Sequence, residues 1–130
     1  EVAKNLALLY IKTNNQEPFG IHIHCPDAAV PKDGPSAGLA ITLSLISLFI
    51  EKEIPNDIAI TGEINLNGDV GEIGGLYAKV SGAIQAKVKR ILFPAKNIHD
   101  YNLFKKDIEQ YQCSLYPIST LQEAFDIVFK

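Results

Sequence analysis

Between Pro26 and Pro35 the chain carries three prolines, Pro26, Pro31 and Pro35, together with Gly34. Proline locks φ and lacks the N–H that helices and sheet ladders both use. The stretch must therefore be loop, and whatever fold the chain adopts has to turn there. Immediately afterwards, from Ser36 to Glu51, apolar residues take over. Leu39 to Ile50 is interrupted only by Thr42, Ser44 and Ser47. Such a pattern predicts a helix apolar nearly all round, hence a buried one. It is too short to cross a bilayer. A single serine, Ser36, stands where the constrained loop meets this helix.

Around that junction the hydrophobic periodicity divides the chain cleanly. Upstream, Val2, Leu6, Leu9 and Tyr10 recur at helical spacing, which predicts an amphipathic helix over Val2 to Thr13. A turn rich in Asn14, Asn15, Pro18 and Gly20 follows. Ile21-His22-Ile23-His24-Cys25 alternates apolar and polar residues, as a half-buried strand does. Downstream, Ile58 to Thr61 reads as a strand, and Asn67-Gly68 within Leu66 to Val70 is the dipeptide of a tight hairpin turn. Gly74-Gly75 precedes a helix over Leu76 to Val88. Ile91 to Phe93 is a short buried strand ended by Pro94. A helix over His99 to Gln110, a strand over Cys113 to Pro117 and a last helix complete the chain. Thr120 caps that helix, with Glu123 completing a capping box.

Alternating strands and helices in the second half predict an α+β, α/β-like domain with a mixed sheet and flanking helices. With 130 residues, no repeat and no linker, a single domain over residues 1–130 is expected. The chain begins with Glu1 and holds no methionine. The opening helix also has no strand before it to pack against. Both features suggest a fragment or processed product whose first strands are missing.

Composition removes several function classes. A formal net charge of −3 offers no basic footprint for nucleic acid or an anionic membrane. Lys87-Val88-Lys89-Arg90 and Lys105-Lys106 are short runs, read as solvated faces. Cys25 and Cys113 stand outside any metal spacing and read as buried free thiols.

Chemistry centres on Pro31-Lys32-Asp33-Gly34-Pro35-Ser36-Ala37-Gly38. A serine at a helix start faces free N–H groups and the positive end of the helix dipole, donors that suit an oxyanion. The plainer reading is an N-cap, a role serine fills well. As a nucleophile Ser36 would need a base. His22 and His24 share one strand face and could serve, or could bind a metal, but no third ligand stands out. Lysine is the other option. Lys79 lies one turn into the helix after Gly74-Gly75, among Ile73, Leu76, Ala78, Val80 and Ala83, so that helix is expected to be mostly buried. There the amine either reaches solvent or is desolvated into a usable base. Spacing alone leaves both questions open.

The stretch GIHIHCPDAAVPKDGPSAG resembles the segment around the catalytic serine of Lon proteases of the bacterial and mitochondrial type. Thr61-Gly62-Glu63 is similar to the family's TGE, and Gly68-Asp69-Val70 through Ile73-Gly74-Gly75-Leu76 to its G-x-V…IGG run. The motifs fall in family order along the whole chain. The resemblance implies the Lon proteolytic-domain fold and a serine endopeptidase with Ser36 as nucleophile and Lys79 as general base. It implies that Thr61 holds the lysine, that Asp33 can occupy the lysine's neighbourhood in closed forms, and that His22 and His24 support the site. Asp33 could equally be a turn residue capping the next helix. Glu63 is read as structural or at a subunit contact. The domain itself is expected to hold no cofactor and no metal. No Walker-type string occurs, so ATP and Mg belong to an upstream ATPase domain of a longer parent. That parent is expected to be a homo-hexamer degrading unfolded or damaged proteins in a bacterial cytoplasm or the mitochondrial matrix. Departures from the family pattern are Tyr77 for a common lysine, Glu72 for a frequent proline and Ala28 for a frequent glycine. The alternative is a non-catalytic Lon-like scaffold, as certain DNA-repair proteins carry. A metal-dependent hydrolase using His22 and His24 ranks below it.

Overall fold

A computed structural model of the chain describes residues 2–11, 21–23 and 34–130. The elements run α1 (Val2–Ile11), a 3₁₀ turn (Pro35–Ala37), α2 (Gly38–Ile50), β1 (Ile58–Ile60), β2 (Glu63–Ile64), β3 (Val70–Gly71), α3 (Leu76–Gln85), β4 (Arg90–Pro94), a second 3₁₀ turn (Ala95–Asn97), α4 (Ile98–Ile108), β5 (Ser114–Ile118) and α5 (Leu121–Phe129).

Strand β4 organises the rest. It lies between β1 and β5, parallel to both, with Ala59 opposite Ile91 and Leu92 opposite Tyr116. Successive side chains of a strand point to opposite faces. Ile91 and Phe93 therefore enter one core with Leu76, Val80, Phe104 and Ile108, from α3 and α4. Leu92 enters the other with Leu6, Leu39, Leu43, Ile46 and Val128, from α1, α2 and α5. The unbroken apolar run from Ile91 to Pro94 is what a parallel sheet covered on both faces requires. Each fully buried Leu, Ile or Phe contributes about 1.5–3 kcal/mol. The antiparallel hairpin of β2 and β3 pairs Glu63 with Gly71 and Ile64 with Val70. The expected α+β fold with parallel and antiparallel strands is thus present.

The turn chemistry follows the local sequence. Asn65 Oδ1 accepts from Asn67 N–H and Asp69 N–H, and Gly68 turns at φ 85° to close the hairpin. Thr120 Oγ1 accepts from Glu123 N–H at 3.2 Å, while the Glu123 carboxylate accepts from Ser119 N–H at 2.9 Å. The expected capping box is there, with its return bond one residue earlier than the usual pattern.

Three expectations need correction. Helix α2 is buried on one face rather than all round: Leu39, Thr42, Leu43 and Ile46 are covered, but Leu48 is 74% exposed. Core surface reaches this helix mainly from α1 and the sheet, so an apolar composition outruns the cover available. Helix α3 stops at Gln85, short of Val88. Lys87 adopts φ 62°, its N–H bonds Ile84 O, and Val88 N–H bonds Ala83 O. Those two bonds are the Schellman closure, normally built on glycine. Finally, Ile21, His22 and Ile23 are exposed and belong to no strand. Alternation supplies a strand's two faces but not its neighbour, and without a ladder partner it makes no sheet. His24 and Cys25 lie outside the described residues, as does the proline-rich loop before Gly34. Among the described residues no helix is long and apolar enough to cross a membrane.

The left-handed backbone at Lys87 yields a test. A non-glycine residue there carries a steric cost of about 1 kcal/mol that glycine avoids, partly offset by glycine's greater freedom when unfolded. Lys87→Gly is expected to raise the urea midpoint by the equivalent of roughly 0.5 kcal/mol with an unchanged m-value. A lowered midpoint would show that the lysine side chain stabilises this turn.

Candidate active site

Ser36 and Lys79 come from opposite layers of the fold and meet beyond the end of β1. Ser36 sits in the 3₁₀ turn that leads into α2, on the layer with α1 and α5. Lys79 sits on α3, on the other layer. Lys79 Nζ lies 3.0 Å from Ser36 Oγ, within hydrogen-bond range. The N-cap position of α2 belongs to Ala37, which has no side-chain cap bond. The Ser36 hydroxyl is thus committed to the lysine, not to the helix end.

The segment after β1 holds this serine in place. Thr61 N–H bonds Leu92 O at 3.1 Å, continuing the sheet bonding by one residue. Gly62 N–H then bonds Ser36 O at 2.9 Å, and Gly62 O accepts from Leu39 N–H at 3.1 Å. One residue therefore ties both ends of the loop-to-helix junction. The approach requires glycine. A Cβ at Gly62 would stand 2.8 Å from Val70 Cγ1 and 3.3 Å from Leu39 Cδ2. A Cβ at Gly38 would likewise stand 3.2 Å from Ile64 Cγ2. The small residues of the Ser-Ala-Gly and Thr-Gly-Glu strings leave room for backbone to meet backbone.

Lys79 is carried by the first turn of α3. Gly75, at φ 66°, is the helix N-cap, and its carbonyl accepts Lys79 N–H at 3.1 Å. The expectation that α3 is mostly buried is corrected. Leu76 and Val80 are buried, whereas Tyr77, Ala78 and Lys79 are exposed. Helical geometry puts Leu76 and Val80 on one stripe and turns the residues between them outward. Tyr77 makes an edge contact with Phe104 at 5.1 Å between ring centroids, linking α3 to α4. Beside the lysine is a mostly apolar pocket of about 230 Å³ between α3 and the sheet edge, lined by Thr61, Ala59, Val80, Ala83, Ile91 and Lys79 itself.

Of the other residues singled out from sequence, Thr61 lines this pocket with Lys79. Among the described residues its hydroxyl makes no hydrogen bond to the amine. His22 is exposed, and among the described residues no group of three His, Cys, Asp or Glu side chains could hold a metal. Asp33 and His24 lie outside the described residues. Glu63 is exposed on the hairpin. Elsewhere, burial pushes the Cys113 thiol up, and Lys130 beside Asp126 holds that carboxyl down.

Two side chains that sequence reasoning did not single out bear on the site. Asn97, 3% exposed, bonds both backbone groups of Ile73, just before the glycines that open α3. Asp100 bonds Asn97 in turn. An asparagine ahead of a helix reads from sequence as an N-cap, which hides a side chain directed elsewhere.

A serine and a lysine thus stand in hydrogen-bond contact, at the start of a helix and beside an apolar pocket. The model of the Lon protease (S16) C-terminal proteolytic domain matches residues 2–130, and the chain belongs to that family. It is 39% identical to a Lon protease of Mycoplasma mycoides over 96% of this chain and 17% of that protein. It is 44% identical to a mitochondrial Lon protease homolog of Candida dubliniensis over 88% of this chain and 10% of that protein. A Lon protease of Desulfatibacillum aliphaticivorans is 48% identical over 70% of this chain and 12% of its own length. The chain thus spans 10–17% of the length of the curated relatives it matches.

The Gly62 contact predicts that Gly62→Ala is destabilising. Overpacking of this kind costs about 1–3 kcal/mol, readable as a lowered urea midpoint. An unchanged midpoint would mean that Val70 and Leu39 give way freely.

Proposed function

We propose that the chain is the proteolytic part of an ATP-dependent serine endopeptidase, with Ser36 as nucleophile and Lys79 as general base. The observation that carries the reading is the 3.0 Å contact between Lys79 Nζ and Ser36 Oγ across two layers of the fold. Membership of the Lon proteolytic-domain family supports it.

The chemistry follows from that contact. Neutral Lys79 takes the Ser36 proton as Oγ bonds to a peptide carbonyl carbon. The tetrahedral intermediate expels the amine, which takes the proton back from Lys79, and an ester to Ser36 remains. Water then attacks the ester with Lys79 again as base, and Ser36 leaves with the proton. The developing oxyanion needs N–H donors. The N–H groups of Ala37, Gly38 and Leu39 are already bonded, to Gly34 O, Pro35 O and Gly62 O. The N–H of Ser36 itself is the donor this reading assigns. Thr61 lines the lysine's pocket and would hold the amine once it has released Ser36. Asp33 gates the lysine by charge, and His22 and His24 support the site. For the whole protein the reading includes an upstream ATPase domain using ATP and Mg, a homo-hexameric ring and unfolded proteins as substrates. Bacterial and mitochondrial names among the relatives support a bacterial cytoplasm or the mitochondrial matrix.

The test is intact-mass analysis after treatment with a peptide-based reagent that acylates serine. One adduct on Ser36 is expected. It should be absent in Ser36→Ala, and slowed by roughly 10²–10⁴ in Lys79→Ala, the usual contribution of a general base. Failure of the wild-type protein to take the adduct, with its ATPase domain present, would overturn the reading in favour of a scaffold.

A further inference from the structure

The geometry points to Asn97 as a positioning residue that sets Lys79 against Ser36. This rests on the dyad proposed above. Asn97 stands at the N-cap of α4, yet its side chain makes no cap bond. It reaches back across the fold instead. Asn97 Oδ1 accepts from Ile73 N–H at 2.9 Å, and Asn97 Nδ2 donates to Ile73 O at 2.9 Å. The remaining Nδ2 hydrogen goes to Asp100 Oδ2, also at 2.9 Å. A flipped amide would set Nδ2 against the Ile73 N–H and oxygen against both a carbonyl and a carboxylate. Only one orientation is therefore allowed, and Asp100 enforces it.

What Asn97 holds is the approach to the catalytic helix. Gly74 and Gly75 lie between Ile73 and the first residue of α3. A Cβ on either glycine would meet nothing within 4 Å among the described residues, so no side-chain contact fixes these two positions. Gly75 then adopts φ 66° and presents its carbonyl to Lys79 N–H. Leu76 and Val80 press α3 onto the sheet, but apolar packing is non-directional. Directional restraint at the start of α3 comes from the two bonds at Ile73. The line of control runs from the Asn97 amide through Ile73 and the Gly75 carbonyl to Lys79, and so to Ser36 Oγ.

Three variants of the full-length protein test this: Asn97→Ala, which removes all three bonds; Asn97→Asp, which keeps shape and the acceptor for Ile73 N–H but sets a carboxylate against Asp100; and Thr120→Ala, which destabilises α5 by loss of its cap, away from the dyad. Each is assayed at a temperature where its melting curve shows it folded. Asn97→Ala is expected to slow acylation of Ser36 by roughly tenfold to a hundredfold, the cost of a displacement of about 1 Å at a reacting pair. Saturation by the reagent should not change, and the pH profile of the acylation rate should move. Asn97→Asp should fall in the same direction, and Thr120→Ala should match wild type. Acylation of folded Asn97→Ala at the wild-type rate and pH profile would overturn the proposal.

A second readout does not depend on activity. Trace labelling with acetic anhydride, read by peptide mass spectrometry, reports how accessible the Lys79 amine is. Ser36→Ala should speed Lys79 labelling in the wild-type background and change nothing once Asn97→Ala is present, a double-mutant cycle of the contact itself. If the wild-type protein takes no acyl adduct while this coupling holds, the functional reading fails and the positioning role stands. If the Ser36→Ala effect persists undiminished in Asn97→Ala, the positioning role fails whatever the activity.

Discussion

Everything at the site depends on β4 being covered on both faces. Ile91 and Phe93 bind α3 and α4 to one side of the sheet, and Leu92 helps bind α1, α2 and α5 to the other. Only because the helices are split in this way do Ser36 and Lys79 ride on different layers. They must then meet around an edge, and the edge available is the end of β1, where the chain leaves the sheet at Thr61. A hydroxyl and an amine separated by a layer of sheet cannot drift together by local flexibility. Their 3.0 Å contact is a property of the packed core.

The junction that makes the contact possible is a backbone device. Gly62 bonds Ser36 O with its N–H and Leu39 N–H with its carbonyl, so the end of β1 reads both sides of the turn into α2. A side chain at that position would meet Val70. The strings around Ser36 and Thr61 are therefore linked by more than order along the chain. One supplies the turn, the other the glycine whose backbone clamps it, and each needs small residues where the other approaches. Asn97 does for α3 what Gly62 does for α2, but with a side chain.

What the sequence reveals divides along the same line. Local patterns carry through: Asn67-Gly68 makes its hairpin, Thr120 and Glu123 make their capping box, and the apolar run at Ile91 to Phe93 makes the central strand. Each rests on contacts between near neighbours or on period alone. Burial is less legible, because it depends on what covers a residue. Leu48 is exposed within the most apolar helix, and α3, rich in small and apolar residues, faces outward at Tyr77, Ala78 and Lys79. Ser36 shows why spacing could not choose its role. A serine ahead of a helix looks like a cap, and only the intervening 3₁₀ turn moves the cap position to Ala37 and frees the hydroxyl. Asn97 is illegible for the converse reason, since the backbone it holds lies 24 residues away.

The contact between Lys79 and Ser36 also limits what else the mechanism requires. With the ammonium form, Nζ donates to Oγ and the serine is no nucleophile. With the neutral amine, the same line lets the Ser36 hydroxyl donate to the nitrogen lone pair, and attack on a carbonyl completes the transfer. No rearrangement of either helix separates the two states, only one proton. Control can therefore be exerted by any charge brought near the amine: a carboxylate favours the ammonium, and an apolar or cationic neighbour favours the free base. The pocket beside Lys79 is lined by Ala59, Val80, Ala83 and Ile91, with Thr61 at its polar edge. On the proposed reading, an apolar group filling that space would exclude water from the amine. An exposed lysine beside an apolar space that can be filled is thus compatible with the role proposed for it.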